Sequence, residues 1–239
     1  MRLDGNSNRP DPTAIDDYRR FNLWFNPFGQ LDDGQLAEVA VLNHRRYAGW
    51  LAPGVAIQFV GRAGRGKSTH LRALWRSLDD ASLVYIPRFG RQISIPQAKH
   101  VLIDEAQRMP RAMRHAVFSW GGPLVLGTHW SLKGSLRRHG YHQIHTINVG
   151  SNPSADKIRQ VIHRRIGLAT VRPTESLGVT EPEAQWLQHR FGNHLRGIDN
   201  YLYGRIEMLR RRRRSIGTPT AHAMMEGLAK IRWVRDAVL

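Results

Sequence analysis

The chain has 239 residues, 41% of them hydrophobic and 23% charged, which excludes a disordered chain and predicts one folded domain with at most a small appendage. It contains no cysteine, which excludes disulfides, thiol chemistry and cysteine-ligated zinc. Its 36 Lys and Arg against 19 Asp and Glu give a net charge of +17, an excess that fits nucleic acid first, then an anionic membrane surface or an acidic protein, and that also fits solubility alone.

The N-terminal part predicts a leader and an aromatic turn. Residues 1–17 are rich in Asn, Asp, Pro and Arg, which predicts a mobile leader. The start lacks the apolar segment of a signal peptide and no run of about 18 apolar residues occurs, so we expect a cytoplasmic protein without a membrane span. Four aromatic residues lie in segment 21–29, and Asp32 or Asp33 can cap the helix that follows. The apolar face of that helix is expected to comprise Leu36, Val39, Ala40 and Val41.

Strands and helices alternate from there to residue 150. The apolar runs that predict strands are 55–60, 83–86, 100–104, 123–128 and 143–149. Helical spacing predicts a helix from Ser68 to Leu78. This alternation indicates an α/β fold with a mostly parallel sheet that is covered on both faces.

Strand signals stop after this point, and the rest of the chain has helical patterns. The predicted helices cover residues 155–168, 181–191 and 195–214. We therefore predict a core over residues 18–150, a helical region over 151–214 and a C-terminal tail over 215–239.

The loop after the first strand fits the pattern G-x-x-x-x-G-K-[ST] in full. Its residues, with the next hydroxyl, are Gly61, Arg62, Ala63, Gly64, Arg65, Gly66, Lys67, Ser68 and Thr69. Glycines let backbone N–H groups converge on phosphate oxygens, and the following helix presents its positive N-terminal end to the same anion. This predicts ATP binding, with Lys67 at the β- and γ-phosphates and Ser68 on Mg²⁺. No separate role is assigned to Thr69.

Two later strands end in polar residues at the same edge of the predicted sheet. Asp104 and Glu105 follow one of them, and beside a phosphate loop they predict a magnesium ligand and a carboxylate that polarises the attacking water. Without that loop, an Asp-Glu pair there is more typical of a helix N-cap with a solvated neighbour. The next strand ends in Thr128 and His129, and Thr128 can position the water or be only a satisfied hydroxyl. His129 is the weaker candidate of the two.

With these residues placed, the chain resembles an AAA+ ATPase of the small bacterial kind that includes transposition regulators and secretion-associated ATPases. The glycine loop is similar to that family's Walker A motif, segment 100–105 to its Walker B strand, and Asn26-Pro27-Phe28 to its entry segment. The resemblance covers roughly residues 20–214. It implies a P-loop fold with sheet order 5-1-4-3-2, a helical lid after Ser154, and ATP-dependent homo-oligomers that hydrolyse ATP with Mg²⁺.

The resemblance also implies roles for further residues. Thr128 is at the family's sensor 1 position, where Asn is commoner. Arg196 matches the arginine of the sensor 2 helix that contacts the γ-phosphate, although a solvated helix-terminus arginine fits equally. Arg137 and Arg138 precede the last strand, where a finger reaching into a neighbouring subunit is expected, and the sequence does not choose between them.

Basic residues and histidines also cluster outside these motifs. The densest positive patch comprises Arg205, Arg210, Arg211, Arg212, Arg213 and Arg214. It predicts contacts with a nucleic-acid backbone, with membrane phosphates second and a solvated helix end as the alternative. Arg108, Arg111 and Arg114 recur every third residue and could form one helical face near the nucleotide, although a solvated stripe is more typical of such spacing. The cluster His139, His142 and His145 lacks a nearby carboxylate, so no metal other than Mg²⁺ is predicted.

The sequence thus predicts a cytoplasmic, Mg²⁺-dependent ATPase that associates with nucleic acid and signals its nucleotide state to an unidentified protein partner. One alternative is a switch that binds ATP, hydrolyses it slowly and acts as an interaction protein. Another is a P-loop kinase for a small molecule. Glu105 argues against the kinase, because such enzymes usually lack a glutamate after the magnesium-binding aspartate.

Overall fold

A five-stranded parallel sheet positions the residues named above. The computed structural model describes residues 18–19, 21–41, 44–89, 94–150, 153–172 and 178–212. The strands are β1 (Val55–Val60), β2 (Ala81–Tyr85), β3 (His100–Asp104), β4 (Leu124–Thr128) and β5 (Gln143–Asn148). Their order is β2-β3-β4-β1-β5, with every described pair parallel. This confirms the α/β class and the predicted order 5-1-4-3-2, read from the opposite edge.

Eight α-helices and one short 3₁₀ helix are assigned within the described residues. They are α1 (Asp33–Val39), α2 (His44–Ala48), α3 (Lys67–Trp75), the 3₁₀ helix (Ala106–Arg108), α4 (Arg111–Ser119), α5 (Lys133–Arg138), α6 (Ala155–Ala169), α7 (Glu181–Phe191) and α8 (Leu195–Arg212). The predicted leader (1–17) and tail (215–239) lie outside the described residues. No helix in the described ranges is long and apolar enough to cross a membrane.

Alternating side chains of the strands build a separate core on each face of the sheet. On one face Ala56, Ile103 and Leu126 pack with residues of α4 and α5. On the other face Ile57 and Leu102 pack with residues of α3. Both faces of the parallel sheet are therefore covered, as the sequence predicted, because successive side chains of a strand point to opposite sides.

A third core joins the three C-terminal helices to the aromatic turn. Phe21, Leu23 and Phe28 share one buried cluster with residues of α6, α7 and α8. Backbone hydrogen bonds support this contact, since Trp24 N donates to Ala169 O at 2.7 Å and Val171 N to Asn22 O at 2.9 Å. The segment before the sheet thus packs on the helices that follow it.

Some predicted boundaries were wrong for local reasons. α3 ends at Trp75 rather than Leu78, because the chain tightens there and Ser77 N donates to Leu74 O. α1 ends at Val39, so Val41 lies beyond it. Of the two proposed caps, Asp32 is the one used: it accepts from Gln35 N at 2.8 Å, and Gln35 returns a bond to Asp32 N.

Candidate functional site

The glycine loop between β1 and α3 depends on left-handed backbone geometry. Gly64 has φ +77° and Gly66, which directly precedes α3, has φ +95°, values that favour glycine over any residue with a Cβ. A Cβ at Gly61 would lie 2.6 Å from the carbonyl oxygen of Val149. The loop therefore turns tightly, lies close to the chain after β5, and leads into the N-terminus of a helix.

Lys67 is buried, at 4% exposure, and is held by its own loop. Its Nζ donates to the carbonyl oxygens of Gly61 at 2.7 Å and Arg62 at 3.0 Å. An ammonium group has three donors, so one remains for an anion. Burial lowers the pKa of Lys67, and the carboxylates of Glu105 and Asp104 oppose that shift.

Asp104 ends β3 as a buried carboxylate in a space that a glycine leaves open. Its Oδ1 accepts from Glu105 N at 3.0 Å. In the next strand, a Cβ at Gly127 would lie 2.7 Å from Asp104 Oδ1 and 2.6 Å from Leu71 Cδ1. Gly127 is thus a residue of the site that the sequence analysis missed, although its place one residue before Thr128 was a usable signal.

Glu105 has an unusual backbone and a crowded carboxylate. Its φ of 58° and ψ of 37° are left-handed, a region that non-glycine residues rarely adopt. Its Oε2 accepts from Gln107 Nε2 at 2.7 Å and pairs with Arg108 Nη2 at 2.9 Å. His129 Nε2 lies 3.4 Å away, within ion-pair distance but without hydrogen-bond geometry. Two residues of the 3₁₀ helix therefore hold Glu105, and the His129 ring lies beside it.

The three arginines after β3 do not share one helical face, so that interpretation was wrong. Pro110 separates the 3₁₀ helix, which contains Arg108, from α4, which contains Arg111 and Arg114, because proline begins a helix more readily than it continues one. Arg108 instead joins the Glu105 carboxylate to the end of β2, where its Nη1 donates to Tyr85 Oη at 3.1 Å. Arg114 donates to the carbonyl oxygens of Gln107 and Met109.

Thr128 is fully buried at the end of β4. Its hydroxyl donates to Trp130 O at 2.9 Å, and its carbonyl accepts from Gly61 N at 3.1 Å. The alternative of a satisfied hydroxyl describes these contacts, while the role in positioning water stays a prediction. Arg137 and Arg138 are exposed at the end of α5, away from the cleft described next, and the finger stays a prediction too.

A cleft of about 940 Å³ joins the glycine loop, the ends of β2 and β3, segment 28–41, and parts of α6 and α8. Its lining includes Lys67, Ser68, Asp104, Glu105 and Arg196. Clefts of this size hold small-molecule ligands. The predicted phosphate, magnesium and catalytic residues therefore meet in one place, apart from Gly61, Arg62, Thr128 and the finger arginines, which do not line the cleft.

The N-terminal end of α8 lies directly on the glycine loop. Arg196 N donates to Gly64 O at 3.3 Å, and a Cβ at Gly64 would come within 2.9 Å of His194 Nε2. The positive charge of Arg196 also contributes to the lowered pKa of Lys67, after burial. Arg196 was expected at the nucleotide, and it lines the cleft beside the loop.

A buried ion pair, which the sequence analysis missed, holds the other end of the cleft. Arg165, 6% exposed, donates through Nε to Pro27 O and through Nη2 to Gly29 O, both at 3.0 Å. Its Nε lies 3.4 Å from Asp199 Oδ1, and burial raises the pKa of Asp199 against the effect of this neighbour. Arg165 thus ties the aromatic turn to α6 and α8. The sequence could not have predicted this contact, because a single arginine in a helical pattern does not indicate which residues it will bond to.

Two nitrogen atoms beside the glycine loop are buried without a hydrogen-bond partner. They are Arg65 Nη1 and His70 Nδ1. Burial lowers the pKa of His70 to about 4, and Lys157 adds to the shift, so the imidazole is neutral near pH 7. A polar ligand in the cleft is a natural partner for such atoms.

The arginines predicted to contact nucleic acid have different surroundings. Arg205 lies over the ring of Tyr201, and Arg210 pairs with Glu207 at 3.0 Å and lies over the ring of Tyr18. Arg211 is exposed. The side chain of Arg212 and all of Arg213 and Arg214 lie outside the described part. Two of these arginines therefore also help to pack α8.

The chain matches no protein-family model, and no curated protein is significantly similar to it. The resemblance to the AAA+ family therefore rests on the sequence motifs alone. In the described ranges no group of three or more His, Asp or Glu side chains is arranged to hold a metal ion. The sequence predicts two magnesium ligands, Ser68 and Asp104. Two can be enough, because Mg²⁺ commonly completes its coordination shell with water and substrate phosphates.

Proposed function

We propose that the protein binds ATP with Mg²⁺ in this cleft and hydrolyses it, as a P-loop ATPase of the AAA+ type. The observation that carries the proposal is the convergence of Lys67, Arg196 and the glycine loop beside two carboxylates. Lys67 is held by its loop with one donor to spare, and Arg196 lines the same cleft. Cations and backbone N–H groups at a helix N-terminus are the groups that polyphosphates require.

The carboxylates account for the second half of the proposal. Ser68 and Asp104 would hold Mg²⁺, which when bound neutralises phosphate charge and helps to orient the substrate. Gly127 leaves the room that the Asp104 carboxylate needs. Glu105 then accepts a proton from the attacking water, and the left-handed backbone at Glu105 presents its carboxylate to the cleft.

A specific observation also favours a slow switch as the second candidate. The Glu105 Oε2 already accepts from Gln107 and pairs with Arg108, so it has to give up part of these contacts before it can accept a proton from water. We therefore expect slow hydrolysis until the pair is changed. A protein that binds ATP strongly and turns it over slowly is suited to signalling its nucleotide state to a protein partner.

Further parts of the proposal concern assembly and location. The net charge of +17 supports nucleic acid as a partner. Arg137 and Arg138 are exposed at the end of α5, which leaves them accessible to a neighbouring copy of the chain. We propose that ATP-dependent homo-oligomers form in the cytoplasm and that one of these arginines completes the site across the interface.

Nucleotide binding by the full chain tests the proposal. A fluorescent ATP analogue should bind in the presence of Mg²⁺, and Lys67→Ala should weaken its binding by about 100-fold, as expected when a charge-assisted contact is lost. Lys99→Ala, on an exposed residue at the opposite edge of the sheet, is the matched control and should change nothing. Wild-type protein that binds no ATP, or binding that is insensitive to Lys67→Ala, contradicts the proposal.

Phosphate release under the same conditions separates the two candidates. Measurable turnover that both Lys67→Ala and Glu105→Gln abolish supports the ATPase. Tight binding with no turnover in any condition supports the switch.

A further inference from the structure

Three exposed aromatic side chains lie where strands of the sheet end. Tyr85 ends β2 and is 55% exposed, Phe89 follows four residues later at 82%, and Trp130 lies two residues after β4 at 58%. β2 and β4 flank β3, and neighbouring strands are roughly 4.8 Å apart, so these strand ends are roughly 10 Å apart. We call Tyr85, Phe89 and Trp130 the aromatic rim. Large rings this exposed, at the ends of strands that flank the same neighbour, indicate a contact surface.

Arginines accompany two of these rings. Arg88 Cζ lies 5.4 Å from the centre of the Phe89 ring, and Arg88 is itself exposed. Arg108 Cζ lies 6.0 Å from the centre of the Tyr85 ring, and its Nη1 bonds to the Tyr85 hydroxyl. The rim therefore offers flat apolar faces with guanidinium groups beside them.

The residues that follow these strand ends carry positive charge. Segment 81–150 of the sequence has two acidic residues, Asp104 and Glu105, against nine Lys and Arg, of which the exposed Arg88 lies beside Phe89. Asp104 is buried and Glu105 is paired with Arg108. Exposed cations also follow β3 and β4, since α4 begins at Arg111 and α5 at Lys133.

We infer that the aromatic rim binds single-stranded nucleic acid, with bases stacked on its rings and phosphates contacted by Arg88, Arg111 and Lys133. Aromatic faces beside a basic surface are the combination that single strands require. Bases within a duplex are stacked on their own neighbours, and exposing their faces costs energy, so the rim favours single strands. An acidic protein would also fit this charge and these rings, and it is the occupant that remains if the oligonucleotide does not bind.

The rim also contacts the groups that hold Glu105. Arg108, which bonds to Tyr85 through Nη1, pairs with Glu105 through Nη2. His129 connects Trp130 to the same carboxylate. The centres of the His129 and Trp130 rings are 6.3 Å apart, and His129 Nε2 is 3.4 Å from Glu105 Oε2. A strand stacked on the rim therefore alters both neighbours of the proposed base, and ATP hydrolysis should respond. This second part rests on the proposed ATPase activity, whereas binding at the rim rests only on the proposed association with nucleic acid.

Oligonucleotide binding tests the surface. Fluorescence anisotropy of a labelled oligothymidine with the full chain should show binding that weakens about tenfold, or about 1.4 kcal/mol, for each of Phe89→Ala and Trp130→Ala, the size of one lost stacked base. Trp120→Ala is the matched control, because Trp120 is 46% exposed but precedes β4 and so lies at the opposite edge of the sheet. It should bind as wild type does.

Three results would contradict the binding of single-stranded nucleic acid at the aromatic rim. They are unchanged binding in both rim variants, equal weakening in Trp120→Ala, and failure of the wild-type protein to bind the oligonucleotide. The last of these would leave a protein as the occupant of the rim. A duplex of the same length should bind with less dependence on Phe89 and Trp130, and equal dependence contradicts base stacking.

Tyr85→Phe tests the connection to Glu105, because it keeps the ring and removes the hydroxyl that bonds to Arg108. We expect oligothymidine binding within about twofold of wild type and a loss of the increase in phosphate release that the oligonucleotide causes. Absence of that increase in the wild-type protein, or its persistence in Tyr85→Phe, overturns the connection. ATP binding is measured in parallel. If the protein binds no ATP but still binds the oligonucleotide through the rim, the proposed ATPase function is contradicted and the nucleic-acid surface is supported.

Discussion

Lys67 and Glu105 line the same cleft, and a sequence motif identifies each of them, yet different parts of the chain hold them. Lys67 bonds to carbonyl oxygens five and six residues away, in its own loop. Glu105 lies beside side chains of the 3₁₀ helix and of His129, which follows the neighbouring strand. A motif therefore predicts the contacts of Lys67, which its own loop supplies, whereas it identifies Glu105 without predicting the side chains that surround it.

The largest expected effect concerns the carboxylate side of this comparison. Glu105→Gln keeps the shape of the side chain but removes the base, so phosphate release at saturating ATP should fall about 100- to 10,000-fold. ATP binding should persist, since the contacts of Lys67 are unchanged. Turnover close to wild type would show that Glu105 is not the base.

A second change removes the space beside Asp104. Gly127→Ala places a Cβ 2.7 Å from Asp104 Oδ1 and 2.6 Å from Leu71 Cδ1, so the strand has to shift, and the free energy of unfolding should fall by about 1–3 kcal/mol. Urea denaturation measures this fall. Gly134→Ala is the control, because a Cβ there meets nothing within 4 Å. Equal stability of the two variants would contradict the close fit.

A third prediction concerns pH and the loop side of the cleft. Because burial lowers the pKa of His70 to about 4 from the ordinary 6.5, the neutral ring stabilises the fold fully above pH 6.5. This stabilisation is lost as the pH falls from 6.5 towards 4, by about 1–2 kcal/mol for a partly accessible ring. Urea denaturation at pH 7.5, 6 and 5 should show the loss in wild type and a smaller one in His70→Gln. Parallel curves would contradict it.

The smallest expected effect separates two interpretations of one arginine. Arg196→Ala should weaken ATP binding about fivefold, because a partly solvated arginine at a phosphate contributes about 1 kcal/mol. Arg159→Ala, on the exposed side of α6, should leave binding unchanged. Identical affinities in both variants would favour a solvated helix-terminus arginine at position 196.

Much of the fold could be predicted from the sequence, because each element carries its own signal. Apolar runs located the five strands and the glycine pattern located the loop. Spacing alone, however, placed Arg108 on one helical face with Arg111 and Arg114, whereas Pro110 separates them into two helices. The Arg165–Asp199 pair connects residues 34 positions apart, and Arg165 also holds the aromatic turn. Such contacts depend on tertiary packing, which periodicity does not report.

The backbone at Glu105 places stability and activity in opposition at one residue. Three non-glycine residues in the described ranges have positive φ, namely Asn22, Asp80 and Glu105. Asn and Asp tolerate this region, whereas for Glu it costs about 1 kcal/mol or more. Glycine at this position would relieve the backbone and remove the carboxylate. Selection for a more stable chain would therefore tend to discard this glutamate, and only a requirement for its side chain would retain it.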